Sequence, residues 1–309
     1  MPVLMNRFSI HVLPLAVMFA VSLGSRASAA EAPRDQQQQQ ACAQIRPDDY
    51  VTLGMRYAEG ICAQKDYSKA VVLFTKACDQ GQPRGCEQLA YLYYDGTGVP
   101  KDFTRTAALY RKACSVGLDD GCNNLGMMYR RGEGVPKSDQ QALPLFQQAC
   151  KRDLGAACYN LGLLYHYGYG VRQDYVEAAR IYRKGCDLGD TTACLNLGTL
   201  VTNGNGTKQD IAEAISLFER ACSGGETLAC SNLGHMYGQG EGVAVDYEKA
   251  RTYWTEACDG KNGEACYNVG VLYWRGLGVP VDRQQANVFY QKGCDLGNSS
   301  ACHEESATP

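Results

Sequence analysis

Cysteines recur along this chain at one fixed interval, and this limits the fold more than any other feature of the sequence. Seven pairs have the spacing C-x7-C, and each pair begins 36 residues after the previous one, without an insertion or a deletion. The pairs are Cys78–Cys86, Cys114–Cys122, Cys150–Cys158, Cys186–Cys194, Cys222–Cys230, Cys258–Cys266 and Cys294–Cys302. A period of roughly 20–50 residues indicates one supersecondary unit that is stacked many times. Cut after each second cysteine, the units are 51–86, 87–122, 123–158, 159–194, 195–230, 231–266 and 267–302.

The first half of each unit has the pattern of an amphipathic helix. Leu161, Leu164 and Tyr165 show the i, i+3, i+4 spacing of one apolar helix face. The same face carries a recurring glycine, for example Gly126, Gly162, Gly198, Gly234 and Gly270. Glycine costs a helix roughly 1 kcal/mol, so its recurrence predicts that two backbones approach closely there. A glycine pair such as Gly168 and Gly170 then suits a left-handed helix end.

The second half of each unit also predicts a helix. One phase always holds a residue that is favoured at helix N-caps: Asp66, Asp102, Ser138, Asp174, Asp210, Asp246 and Asp282. Small and aromatic residues follow at helical spacing, for example Ala178, Tyr182 and Gly185. We therefore predict an all-α fold, an α/α superhelical solenoid of seven helix hairpins.

The repeated pattern L-G-x-x-Y-x-x-G-x-G-V, then Asp, then A-x-x-x-[FYW]-x-x-[AG], resembles the Sel-one-like repeat (SLR), a relative of the tetratricopeptide repeat (TPR). The constant period with C-x7-C in every unit is similar to the cysteine-rich Helicobacter (Hcp-type) branch of secreted SLR proteins. This resemblance covers residues 51–302 and implies a TPR-like fold. It also implies an alternative function in β-lactam binding or hydrolysis, because that branch is linked to penicillin binding and β-lactamase activity.

The N-terminus has the layout of a secretory signal peptide. Arg7 precedes an apolar run from Ile10 to Leu23, and small residues follow up to Ala30. The run is shorter than the roughly 20 residues of a membrane-spanning helix, although a signal anchor is an alternative. We expect residues 1–30 to be cleaved, 31–50 to form a disordered or capping leader and 303–309 a disordered tail. The product is then secreted or periplasmic, with no membrane span.

The cysteines admit three chemistries, of which structural disulfides are favoured. Paired cysteines at short fixed spacing in an exported chain usually form disulfides, which here would join the end of one helix to the start of the next. Zinc sites favour C-x2-C clusters with histidine, and redox catalysis favours C-x-x-C, which the sequence lacks. The remaining Cys42 and Cys62 are expected to pair and close the N-terminal cap, with a free or intermolecular thiol as the alternative.

No catalytic constellation emerges from the sequence. His166 and His235 lie two units apart, and no serine has a lysine three positions later, as serine β-lactamases require. The sequence therefore predicts no catalytic residue, cofactor or metal ligand, although a cell-envelope assembly or redox factor remains a third functional hypothesis. Lys+Arg 30 against Asp+Glu 33 gives a net charge of −3, without the basic surplus of nucleic-acid-binding proteins.

The first helix of each unit offers a candidate binding surface on the side opposite its apolar face. Its second position is asparagine in five successive units: Asn124, Asn160, Asn196, Asn232 and Asn268. Variable residues lie nearby, including Arg131, His166, Tyr167, His235, Trp274 and Arg275. Asparagine both donates and accepts hydrogen bonds, so the row could hold an extended peptide backbone or, alternatively, order the stack. We expect a monomer that binds a protein or extended peptide, with a peptidoglycan-related ligand as a further candidate.

Overall fold

The computed structural model describes residue 46, residues 49–61 and residues 64–306. The predicted signal peptide, nearly all of the leader and the Cys42–Cys62 pair lie outside these residues. The described residues form fifteen helices and no strand, which confirms the all-α prediction. The helices are α1 (Tyr50–Glu59), α2 (Tyr67–Asp79), α3 (Pro83–Asp95), α4 (Phe103–Ser115), α5 (Asp119–Arg131), α6 (Asp139–Lys151), α7 (Gly155–Tyr167), α8 (Tyr175–Asp187), α9 (Thr191–Asn203), α10 (Ile211–Ser223), α11 (Thr227–Gln239), α12 (Tyr247–Asp259), α13 (Gly263–Arg275), α14 (Arg283–Asp295) and α15 (Ser299–Ser306).

Odd- and even-numbered helices have different places in the stack. Some helices contact not only their neighbours in the chain but also the next helix but one. Among such pairs, the contact is closest for α1 with α3, α7 with α9 and α13 with α15. All of these are odd-numbered, and elements that approach one another more closely lie on the inside of a curved stack. We therefore call the odd-numbered helices inner and the even-numbered helices outer, and we call the open side of the inner helices the inner face. Among the described residues, no helix combines the length and the apolar character needed to cross a membrane.

Local capping sets the ends of the helices as the sequence predicts. Each predicted cap residue precedes an outer helix, and its side chain accepts a hydrogen bond from a backbone N–H in the first turn. The Asp66 Oδ1 atom, for example, accepts from Lys69 N at 2.9 Å. Inner helices end at a glycine in the left-handed region, such as Gly168 with φ 74°. These caps satisfy N–H and C=O groups that the helix itself leaves unpaired.

The glycine on the apolar face of the inner helix makes room for a ring rather than for a second backbone. A Cβ atom added to Gly126 would lie 2.6 Å from the ring of Phe146 on the following outer helix. Gly234 likewise faces Trp254, and the additional Gly238 lies under the far edge of that larger ring. The expectation of close backbone approach at these glycines is therefore wrong. The small residue is needed because the buried aromatic side chain packs directly on the helix.

Close backbone approach occurs instead at the second loop glycine, between one unit and the unit before it. Gly134 lies against the carbonyl group of Phe103, and Gly206 lies against the backbone of Tyr175. Both glycines have a φ of 68°. Each loop thus packs on the start of the previous outer helix, which joins neighbouring units through their main chains.

This contact predicts a difference between two glycine substitutions. Gly206→Ala places a methyl group against the Tyr175 backbone, whereas Gly225→Ala adds one where no atom lies within 4 Å. Both glycines have positive φ, so both variants carry the left-handed cost of roughly 1–2 kcal/mol. We expect Gly206→Ala to lose about 1–3 kcal/mol more, the usual cost of overpacking. Denaturant unfolding of the two variants measures this difference. Equal losses of unfolding free energy would show that the loop moves to accept the added methyl group.

Within the described part of the chain, seven disulfides join the helices, and they confirm the seven predicted C-x7-C pairings. Each connects the last turn of an outer helix to the first turn of the next inner helix, as between Cys186 on α8 and Cys194 on α9. Both of these cysteines are buried. Seven bridges indicate a non-reducing compartment.

The C-terminal boundary differs from the expectation. The tail was expected to be disordered from residue 303, but α15 continues to Ser306. Two local interactions hold the start of this helix. Asn298 Oδ1 accepts from Ala301 N at 2.8 Å, and Cys302 is bridged to Cys294. Residues 307–309 lie outside the described residues.

Candidate interaction surface

The most exposed row of the inner face is the ninth position of each unit, which is the last residue of its inner helix. Arg131, Tyr167, Asn203, Gln239 and Arg275 all lie there, and all five are exposed. They occupy the last turn of their helices, directly before the capping glycine. The row therefore offers side chains of varied chemistry at one-repeat intervals, as the sequence predicts for a variable surface.

The asparagine row lies deeper, at the seam between units. Asn124 and Asn160 are 6% and 7% exposed. Asn160 Nδ2 donates to Asn123 Oδ1 of the previous unit at 2.9 Å, and Asn124 Nδ2 donates to Tyr91 OH at 3.2 Å. Asn196 Nδ2 bonds within its own helix, to Thr192 O. These contacts are those of an ordered stack, and the role of the row in binding a peptide stays a prediction.

Two members of the asparagine row differ in their partners, which makes the structural role testable. The Asn160 side chain has a partner in the previous unit, whereas among the described residues the Asn232 side chain has no hydrogen-bond partner. Asn160→Ala should therefore lower the free energy of unfolding by about 1–3 kcal/mol, because it leaves buried Asn123 Oδ1 unpaired. Asn232→Ala should change it far less. Chemical denaturation of both variants measures the difference, and equal melting behaviour would contradict the assignment.

An exposed aromatic cluster occupies the inner face at the end of α7. The rings of His166 and Tyr167 stack with centroids 4.4 Å apart, and Tyr167 stacks on Tyr169 at 5.4 Å. Arg130 lies over the Tyr169 ring at 5.3 Å. Tyr167 and Tyr169 are 52% and 41% exposed. We name these four residues the tyrosine cluster. Sequence reasoning placed Arg130, His166 and Tyr167 on this surface but missed Tyr169, which lies in the loop after the helix.

His166 is held by its neighbours rather than poised for proton transfer. Its Nδ1 atom lies 3.3 Å from Tyr182 OH, and the Tyr182 side chain is fully buried. Burial lowers the pKa of His166 below its ordinary value. The imidazole is therefore neutral at physiological pH and contributes an aromatic surface to the cluster.

Two further groups complete the face toward its C-terminal end. His235 Nε2 lies 3.6 Å from Glu264 Oε1, and its ring packs edge-on against Trp254 at 5.3 Å. Trp274 lies beneath the guanidinium of Arg283 at 4.7 Å. The described contacts thus place His166 and His235 in separate surroundings, and no contact brings them together.

The N-terminal part of the face is polar and was missed by sequence reasoning. Tyr91 OH donates to Glu87 Oε1 at 3.3 Å, and Glu87 is 9% exposed. Nearby, Tyr94 OH donates to Glu133 Oε2 at 3.2 Å and accepts from Arg131 Nη1 at 3.4 Å. A carboxylate on a helix usually indicates a solvated surface, so the sequence alone does not predict that Glu87 is buried. Comparison of the first position across units would have found it, because the other six are uncharged.

Among the described residues, one group of side chains has the spacing of a metal site: Cys222, Cys230 and Glu256. Its two sulfur atoms are joined in a disulfide. Because zinc binds thiolates, this group offers one carboxylate and no competent sulfur ligand.

A solenoid of helix hairpins with an exposed, variable inner face defines a TPR-like repeat scaffold. Seven stretches of the chain match the Sel1 repeat, at residues 52–82, 83–118, 119–154, 155–190, 191–226, 227–262 and 263–298. From the second onward these stretches have the predicted 36-residue period, and each begins four residues before our units. The chain therefore belongs to the Sel1 repeat family.

Solved structures share this architecture. The chain is similar to c5321, a protective antigen of uropathogenic Escherichia coli strains with an SLR fold: 28% identity and TM-score 0.74 over 88% of this chain and 58% of that one. It is similar to a Sel1 repeat protein from Oxalobacter formigenes at 26% identity and TM-score 0.74, over 88% of this chain and 79% of that one. Helicobacter pylori cysteine-rich protein B is 30% identical, with TM-score 0.35, over 43% of this chain and 95% of that one. This chain thus spans little more than half of the length of the first relative. No curated protein sequence matches it.

Proposed function

We propose that this protein is exported and that its inner face binds a protein or an extended peptide. The observation that carries the proposal is the tyrosine cluster, an exposed aromatic and arginine surface on a disulfide-bridged frame. Tyrosine and arginine are enriched among residues that dominate binding energy in protein interfaces. Tyr167 and Tyr169 stack on each other while about half of each side chain stays exposed. Packing of the fold does not require aromatic side chains to be exposed in this way.

The frame favours binding without rearrangement. Seven disulfides fix the relative positions of neighbouring helices, and preorganised surfaces lose less conformational entropy when a partner docks. Variable side chains at the ninth position of each unit would then determine which partner is bound. The β-lactam alternative stays a prediction from the resemblance alone.

Site-directed photo-crosslinking tests both parts of the proposal. A photoreactive amino acid replaces Tyr167 or Gln239 on the inner face, or Val176 or Val288 on outer helices as matched exposed controls. The variants are expressed in the native host, and the product is recovered from the extracellular and periplasmic fractions. We expect one discrete cross-linked species from the inner positions and none from the outer ones. Equal cross-linking from both sides, or recovery only from the cytoplasm, would contradict the proposal.

A further inference from the structure

One unit carries a buried carboxylate that its fold does not require. Glu87 occupies the first position of its unit, in the second turn of α3, and is 9% exposed. The same position holds Val51, Asn123, Tyr159, Leu195, Ser231 and Tyr267 in the other units, so neither charge nor size is needed there for stacking. Its hydrogen bond in the described structure comes from Tyr91 OH, at 3.3 Å. None of the described ion pairs includes it.

The surroundings of Glu87 add negative charge and a polar atom that lacks a partner. Burial raises the pKa of Glu87 to about 7, and the charge of Asp120, an exposed carboxylate on α5, contributes to this rise. The Tyr110 side chain on α4 is 1% exposed, and its hydroxyl oxygen has no hydrogen-bond partner among the described residues. Burial raises the pKa of this hydroxyl, and the negative charge of Glu87 raises it further. The rings of Tyr91 and Tyr110 pack edge to face, 5.9 Å apart.

Buried charges are usually paired, because an unpaired charge in a low-dielectric interior is costly. The basic side chains of the neighbourhood do not supply the pairing. Arg131 donates to Tyr94 and lies 3.8 Å from Glu133. Arg84 is exposed, and its charge lowers the pKa of Glu87 less than any other contribution changes it. The missing positive charge must therefore come from outside the described chain or be replaced by a proton.

We infer that Glu87, Tyr91, Tyr110 and Asp120 form a site for a basic side chain, lysine or arginine, of the polypeptide partner. The inference rests on the proposed function and specifies the partner's chemistry at one point of the inner face. An ammonium or guanidinium group donates to the Glu87 carboxylate and to phenol oxygens, and it is attracted to tyrosine rings. A divalent cation fits less well. Calcium and magnesium require several oxygen ligands at one point, and among the described residues no trio of metal-binding side chains includes Glu87.

The site has a defined dependence on pH. The titratable and charged groups that interact electrostatically with Glu87 are Arg84 and Tyr91 on its own helix, Tyr110 on α4 and Asp120 on α5. A basic side chain binds the ionised form of Glu87, so binding lowers the pKa of this carboxyl and releases a proton. Affinity should accordingly rise as the pH rises through the pKa of the free protein.

The test uses the mature oxidised protein and two short peptides of glycine, serine and alanine. One peptide carries a central lysine, and the other carries norleucine at that place. Carboxyl-carbon NMR of ¹³C-labelled glutamate follows Glu87, and titration gives the affinity at about pH 6 and about pH 8. We expect the lysine peptide to bind at least about tenfold more tightly than the norleucine peptide at the higher pH. The difference should shrink at the lower pH.

Two variants separate the site from general attraction. Glu87→Gln keeps the size of the side chain and should abolish the preference for lysine without lowering the melting temperature. Glu264→Gln removes an exposed carboxylate from the same face and should leave the preference intact. Equal binding of both peptides, or a lysine preference that survives Glu87→Gln, overturns the inference. So does a shift of the Glu87 resonance with calcium ions but not with the lysine peptide. If cross-linking from Tyr167 nevertheless persists in Glu87→Gln, the proposed function stands and only this site fails.

Discussion

Reduction of the disulfides is expected to unfold this protein at temperatures where the oxidised form is fully folded. Each bridge closes a loop of about nine residues, for which the chain-entropy relation gives about 2.5 kcal/mol. Seven such bridges together exceed the net stability of a typical domain, about 5–15 kcal/mol. Circular dichroism melts with and without a reductant measure the effect. A midpoint that reduction leaves unchanged would show that helix packing alone holds the stack.

Removal of single bridges refines this expectation. The double substitution C222S/C230S removes a buried bridge between α10 and α11. These two helices lie in the middle of the stack, with further units packed before and after them. About 2.5 kcal/mol in a domain of this size corresponds to roughly 5–10 °C in the melting temperature. C294S/C302S removes the terminal bridge, whose cysteines are partly exposed. Only α15 lies beyond it, so we expect a smaller change in the main transition.

Glu87→Gln is expected to flatten the pH dependence of stability. Burial raises the pKa of Glu87 from its ordinary value of 4.5 to about 7 in the folded state. Between these values the folded chain keeps a proton that the unfolded chain has lost. The contribution of Glu87 to the free energy of unfolding is therefore fully present below about pH 4.5 and is lost as the pH rises through about 7. The size of this loss is on the order of 3 kcal/mol.

The measurement compares urea unfolding of the two proteins at several values between about pH 4.5 and about pH 8. The variant should gain stability relative to the natural protein across this range, because glutamine retains a hydrogen bond to Tyr91 without carrying a charge. Glu241→Gln serves as the control, because this exposed carboxylate takes part in none of the described ion pairs, and we expect a much smaller change from it. Parallel curves for the natural protein and Glu87→Gln would show that Glu87 is solvated in the folded state.

The features that the sequence predicts correctly are those that depend on neighbours along the chain. The N-cap of Asp174, the left-handed end at Gly168 and the Cys186–Cys194 bridge each involve residues within one or two turns. Such interactions follow from spacing alone. The helix hairpin and its period were therefore predictable in detail, and so was the exposed row at the ninth position.

What the sequence left open or predicted wrongly concerns relations between units or between helices. For Asn160 the sequence allowed either peptide binding or ordering of the stack, and the offset between successive inner helices brings this side chain against Asn123. Gly126 was assigned to backbone contact because the pattern does not show which outer-helix residue faces it. That residue is Phe146, 20 positions later, and the same offset joins Gly162 to Tyr182 and Gly234 to Trp254. Covariation within the repeat could have found this pairing, whereas the seam at Asn160 requires the superhelical geometry.

The joint between units has a consequence for how such a chain changes over generations. Gly134 meets the main chain of Phe103, and a disulfide crosses each boundary between matched repeats. Both connections use only groups that return with the same period. A gene duplication or deletion of one whole period therefore recreates a complete joint without any compensating substitution. The length of the inner face can grow or shrink in steps of one hairpin, while its exposed side chains diversify independently of the frame that carries them.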